Sequence, residues 1–155
     1  MKRMLLVAIG LFAALTVLAQ SGFQVNPVFD GKLVPKSRIE ETYIEGSQLS
    51  PYKLRVFRSV KFTVTESEFS EIQARLLEDA RGAADRQTDY AGGKLCYAVL
   101  RFPVKVRSTR NDTSLVDGSK YLCLQAARKG DGYQVTLVYM SGDATLEDLK
   151  AIFAN

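Results

Sequence analysis

The chain contains no histidine and no tryptophan, and only two cysteines and four prolines in 155 residues. Without histidine, the side chain that most often serves as general base near neutral pH is missing, and so is the commonest metal ligand. A serine or cysteine nucleophile activated by imidazole is excluded outright. The lack of tryptophan weakens any aromatic platform for sugar rings, although seven tyrosines remain. Cys96 and Cys123 lack the C-x-x-C spacing of a redox-catalytic pair. No glycine-rich phosphate loop occurs, since Gly92-Gly93 and Gly130-Asp131-Gly132 read as turns. No pair of carboxylates stands at a spacing that marks a general acid and base. A chain of this size would also struggle to build a glycosidase cleft. These absences imply no cofactor and no metal.

What is present begins with an export signal. Met1-Lys2-Arg3 carries two positive charges, an apolar run follows from Met4 to Ala19, and Gln20-Ser21-Gly22 comes next. This is the tripartite pattern of a secretory signal peptide, with Val17 and Ala19 in the two positions that signal peptidase reads. A retained membrane anchor is the rival reading, but the run falls short of the roughly 18 apolar residues that span a bilayer. No cysteine follows the run, which argues against a lipoprotein. The sequence therefore predicts a signal peptide over 1–19 and a single exported α+β domain over 20–155. It would be periplasmic or extracellular, with no membrane span after cleavage. Loss of Lys2 and Arg3 takes the net charge from +4 to +2, too little to suggest nucleic acid as a partner.

Periodicity then outlines the domain. Phe23, Val25, Val28 and Phe29 suggest a short strand interrupted by Pro27, and residues 38–45 a weak one. Lys53 to Val64 is the clearest strand, with Leu54, Val56, Val60, Phe62 and Val64 at period two. Arg58 breaks the apolar face and Phe57 the polar one. Thr65 and Glu68 fit a capping box, opening a helix over 66–82 with Phe69, Ile72, Leu76 and Ala80 on one stripe. Glu66, Glu68, Glu71, Glu78 and Asp79 make that helix acidic. Residues 85–93 read as a loop. Strands follow at 95–106, 120–128 and 133–140, the last two joined by a hairpin at Lys129 to Gly132. Pro103 places an interruption or an edge in the first of these. A final helix spans Thr145 to Phe153. The expected fold is α+β: a single, mainly antiparallel sheet of about four to five strands, with two helices packed on one face.

The segments EGSQLSPYKLRVFRSVKFTV (45–64) and VTLVYMSGDATLEDLKAIF (135–153) resemble a family of small exported Bacteroidetes proteins of unknown function. The resemblance covers most of the chain beyond the signal. It implies an exported α+β domain of a Gram-negative, host-associated bacterium, and carries over no catalytic or binding residue.

Three features invite a functional reading. Cys96 and Cys123 form an even pair in an exported chain, which suits a disulfide, while two buried free thiols are the equal alternative. Arg58 reads as a buried anion-binding guanidinium or, more plainly, as an arginine paired with an acid such as Glu78 or Asp79. Lys53, Arg55 and Lys61 on one strand, with Arg101 and Lys105 on another, would give one sheet face a basic character, with Phe57 and Tyr97 between the charges. That face should point away from the helices. It would suit an envelope or extracellular protein or an anionic glycan. The plainer reading is a solvated face whose lysines discourage edge aggregation. Function stays open on the sequence alone. The leading expectation is a non-enzymatic periplasmic or secreted binding module. The alternatives are a small envelope hydrolase or transferase using carboxylates or a Ser–Lys pair, and a structural subunit of an envelope assembly.

Overall fold

The period-two stretch after Lys53 forms strand β2 (Leu54–Thr65), and its neighbours define the rest of the molecule. The computed structural model describes residues 22–109 and 114–153, so the signal peptide expected over 1–19 lies outside the described residues. In chain order, β2 is preceded by helix α1 (Asn26–Phe29) and strand β1 (Glu40–Glu45). It is followed by helix α2 (Glu66–Ala80), β3 (Asp85–Ala91), β4 (Lys94–Arg107), β5 (Leu115–Lys129), β6 (Gly132–Gly142) and helix α3 (Leu146–Phe153). Among the described residues, six strands make one sheet in the order β1-β2-β6-β5-β4-β3, with every pairing antiparallel.

The capping box forms as its residue types require. The Thr65 hydroxyl accepts from the Glu68 backbone N–H at 3.2 Å, and the Glu68 carboxylate accepts from the Thr65 N–H at 2.9 Å. These bonds satisfy two of the amides that a helix start leaves without partners. The stripe of α2 then buries Phe69, Ile72, Leu76 and Ala80 against the sheet. Each large apolar side chain removed from water there contributes about 1.5–3 kcal/mol. The same face receives the segment before β1 through Val25, Val28, Phe29 and Val34.

The class is α+β, but the expected sheet of four to five strands with both helices on one face is overturned. The sheet has six strands. The added one, β3, occupies residues read as loop, because all seven of its residues are exposed and leave no apolar period. The helices lie on opposite faces. The second face carries Val99, Tyr121 and Met140, and it is covered by Leu149 of α3 and by Leu49 from a 3-10 turn over Ser47–Tyr52. Strands β5 and β6 have large apolar side chains on both sides, so a cover on one side alone would leave a core exposed.

Two local features reset the expected phase. A register shift between Leu54 and Val56 puts Leu54 in the second core while Val56 stays in the first. An irregularity where β3 pairs with β4 puts Leu95 on the α2 side. Near the N-terminus the expected strand is a turn followed by α1, with Pro27 in the first helical turn, where its missing N–H costs nothing. Pro103 lies beyond the last β3 partner of β4, which is Arg101, so it withholds no bond from β3. At the far end of β6, a side chain on Gly142 would meet the Lys53 carbonyl and, at 2.7 Å, the Leu54 Cα, so only glycine fits there.

Candidate functional site

Opposed residues in antiparallel strands share a face, so the register fixes the second face row by row. One row runs Lys61, Thr136, Gln125, Tyr97 and Asp89; the next but one runs Phe57, Met140, Tyr121, Arg101 and Asp85. Phe57, Lys61, Tyr97 and Arg101 therefore do share a face, as the sequence suggests, and Lys105 continues it. Lys53 and Arg55 do not join them. Lys53 lies before the strand in a left-handed conformation (φ 57°), and its carbonyl accepts the Ala144 N–H at 2.8 Å. Arg55 sits at the register shift of β2, with its Nε buried and without a partner among the described residues.

This face does not point away from the helices, because α3 packs on it. Most of its cations are already matched. Lys105 meets Asp117 at 2.6 Å and Arg101 is paired with Asp85, while Lys53, off the face, meets Asp148 at 3.5 Å. Lys61 stands opposite Glu40 across the β1–β2 pairing.

Where α3 begins, the face deepens into a groove of about 620 Å³. Pro103, Tyr121, Ala144 and Leu146 supply apolar wall, and Arg101, Lys105, Asp117 and Asp143 bring two charges of each sign. The Tyr121 hydroxyl donates to the Ala144 carbonyl at 2.7 Å and fixes the wall beneath α3. Arg101 also donates to the Ser119 hydroxyl at 3.3 Å. Asp148 accepts from the Thr145 N–H at 2.8 Å, and this bond holds its carboxyl below the usual range. The start of α3 is thereby capped from within the chain. A shallower depression further along the face is lined by Lys61, Cys96, Tyr97, Gln125, Gln134 and Thr136.

Cys96 and Cys123 are free thiols in the structure, each partly buried. Cys123 packs in the second core, and burial pushes its thiol up to about 12. Arg58 is 8% exposed on the opposite, α2 side of the sheet. It is paired with acids, though neither is Glu78 nor Asp79. Its Nε donates to Glu41 at 2.6 Å, Nη2 donates to the Phe29 carbonyl at 2.8 Å, and Asp30 lies 4.0 Å from Nη1. The guanidinium also lies over the Phe29 ring, 5.3 Å from its centre.

Asp79 is buried, not on the solvent side of α2 with the other acids. It accepts the backbone N–H groups of Gln24 at 2.7 Å and Val25 at 3.1 Å. Burial raises its carboxyl above the ordinary value, and the two backbone donors oppose that shift. The signal was present in the sequence: three residues after Leu76, Asp79 falls on the apolar stripe. It lines a cleft of about 420 Å³ with Phe23, Phe102 and Lys120, whose ammonium burial makes easier to deprotonate.

A Ser–Lys contact does occur. Lys94 Nζ donates to the Ser70 hydroxyl at 2.8 Å, but that hydroxyl donates onward to the Glu66 carbonyl at 3.0 Å. A nucleophilic serine would need that proton delivered to its base. Among the described residues no three Cys, Asp or Glu side chains cluster to hold a metal, and no helix is long and apolar enough to cross a membrane.

Fold and surface of the described residues together define an antiparallel α+β sheet protein with helices on both faces and a mixed-charge groove at the start of α3. The chain belongs to the family of unknown function DUF6108, which matches residues 12–153. No curated protein and no solved structure matches it.

Proposed function

We propose that the chain is an exported, non-enzymatic binding module, and that it takes a segment of a protein partner into the groove between β4, β5 and the start of α3. One observation carries this reading: the groove joins apolar wall to paired charges. Arg101 and Lys105 each already have a carboxylate partner, so the rim is nearly neutral. A polyanionic glycan would have to compete with Asp85 and Asp117 for these cations. A peptide segment, with both charge signs and its own apolar side chains, suits Pro103, Tyr121 and Leu146 and leaves both ion pairs in place. The absence of histidine from the whole chain supports binding over catalysis.

Export rests on the Met1 to Gly22 pattern and on the resemblance to small exported Bacteroidetes proteins. Intact mass of the protein from its native cell tests it, with a chain starting at Gln20 expected and one retaining residues 1–19 refuting it. A photo-crosslinking residue at Pro103 tests the groove, with one at Arg75 on the exposed side of α2 as control. A discrete protein adduct from position 103 alone is expected. Equal labelling from both positions, or adducts only from 75, refutes a partner in the groove.

A further inference from the structure

We propose that β3 is a self-pairing edge and that two copies of the chain join through it, antiparallel, in a register centred on Thr88. β3 ends the sheet, and its seven residues are exposed on both faces. Its side chains bury nothing, so it is held by its ladder to β4 and by the Asp85–Arg101 pair. An outer edge of this kind presents unpaired N–H and C=O groups to another strand. The other edge of the sheet differs: β1 carries Glu40, Glu41 and Glu45 and no cation, so two copies of it repel.

The charges of β3 select one register. A two-fold axis perpendicular to the sheet keeps each face on its own side, so a residue can oppose only residues of its own face. Asp85, Gln87 and Asp89 lie on one face, and Arg86, Thr88 and Tyr90 on the other. Centring on Arg86 opposes two arginines, and centring on Asp89 opposes two aspartates. Centring on Gln87 sets Asp85 against Asp89 of the second copy. Centring on Tyr90 opposes no like charges but pairs only residues 89–91, so the register centred on Thr88 alone pairs the whole strand free of like-charge contacts, which destabilise when directly opposed. It sets Arg86 against Tyr90, where a guanidinium meets an aromatic face, and Gln87 against Asp89, where an amide donates to a carboxylate. Tyr90, 53% exposed in the single chain, gains cover by this pairing.

The axis passes through Thr88, so that residue meets its own copy, and this gives the test. Sedimentation of the wild-type protein should show a concentration-dependent dimer, with β3 amides slowing in hydrogen exchange as it forms. Thr88→Lys and Thr88→Glu place like charges on the axis, and each alone should sediment as a folded monomer. Mixing the two in equal amounts should restore the dimer, because Lys then opposes Glu. A wild-type chain that stays monomeric at the highest concentration it tolerates overturns the proposal. So does a dimer that persists in Thr88→Lys, or a mixture that fails to restore it. A monomer whose β3 crosslinks to a different protein overturns self-pairing and gives the edge to that protein.

Discussion

Arg58 pins the segment before β1 to the sheet, and replacing it with methionine isolates that role. Methionine keeps most of the aliphatic stem and removes the charge. Glu41, with 36% of its side chain exposed, regains water. The Phe29 carbonyl does not, because Arg58 Nη2 donates to it in a buried setting at 2.8 Å. A buried polar group left without a partner costs about 1–3 kcal/mol. With a urea dependence of about 2 kcal/mol per molar, the unfolding midpoint should fall by roughly 0.5–1.5 M. Hydrogen exchange gives a second readout. The Asp30 and Gly31 amides, which close on Asn26 and Val28, should exchange faster, while the middle of α2 slackens only by the global loss. Glu41→Gln keeps an acceptor but removes its charge, so a double-mutant cycle with Arg58→Met should show coupling of about 1 kcal/mol. An unchanged midpoint together with unchanged exchange at Asp30 and Gly31 would refute the reasoning.

Three further outcomes are expected. Arg38, with the Thr65 backbone N–H, holds the Glu68 carboxyl down at about 2 from its ordinary 4.5. Its stabilising contribution is therefore complete above pH 4.5 and lost as pH falls toward 2. Unfolding curves of wild type and Glu68→Gln should differ above that window and converge at its acid end. Cys123, its thiol pushed up to about 12, should resist alkylation at pH 8 in the folded protein and react once urea unfolds it, as peptide mass mapping will show. Gly142→Ala should cost about 3 kcal/mol, lowering the thermal midpoint by roughly 10 °C, because the new methyl meets the backbone of Lys53 and Leu54.

The sequence exposed those elements whose own pattern specifies them. β2 alternates, α2 has a stripe and a capping box, and Gly130-Asp131 closes the β5–β6 hairpin at the expected place. β3 was illegible because periodicity records burial, and none of its side chains is buried. The assignment of helices to faces was illegible for a different reason. An apolar stripe says that a helix is covered, not by which side of the sheet, and the second core depends on residues as far apart as Leu49 and Leu149. The candidate site was half visible. Phe57, Lys61, Tyr97, Arg101 and Lys105 fall on one face by alternation. The pairing of Arg101 with Asp85 and of Lys105 with Asp117 depends on strand order, which period two leaves undetermined.

The place of β2 in the sheet shapes how the molecule assembles. β2 is flanked by β1, close to it in the chain, and by β6, the last strand made. The inner edge of β2 therefore stays unpaired until the β3 to β6 meander has been synthesised and has returned Gly132 to Thr65. Pairings between distant parts of a chain pay their loop entropy before any contact rewards it, and they slow folding. The α2 stripe shares that delay, because much of the surface it covers belongs to the late strands. Closure of β6 onto β2 is thus the step that joins the early and late halves of the chain. Substitutions along that seam should slow folding more than substitutions in α3, which adds to a finished sheet.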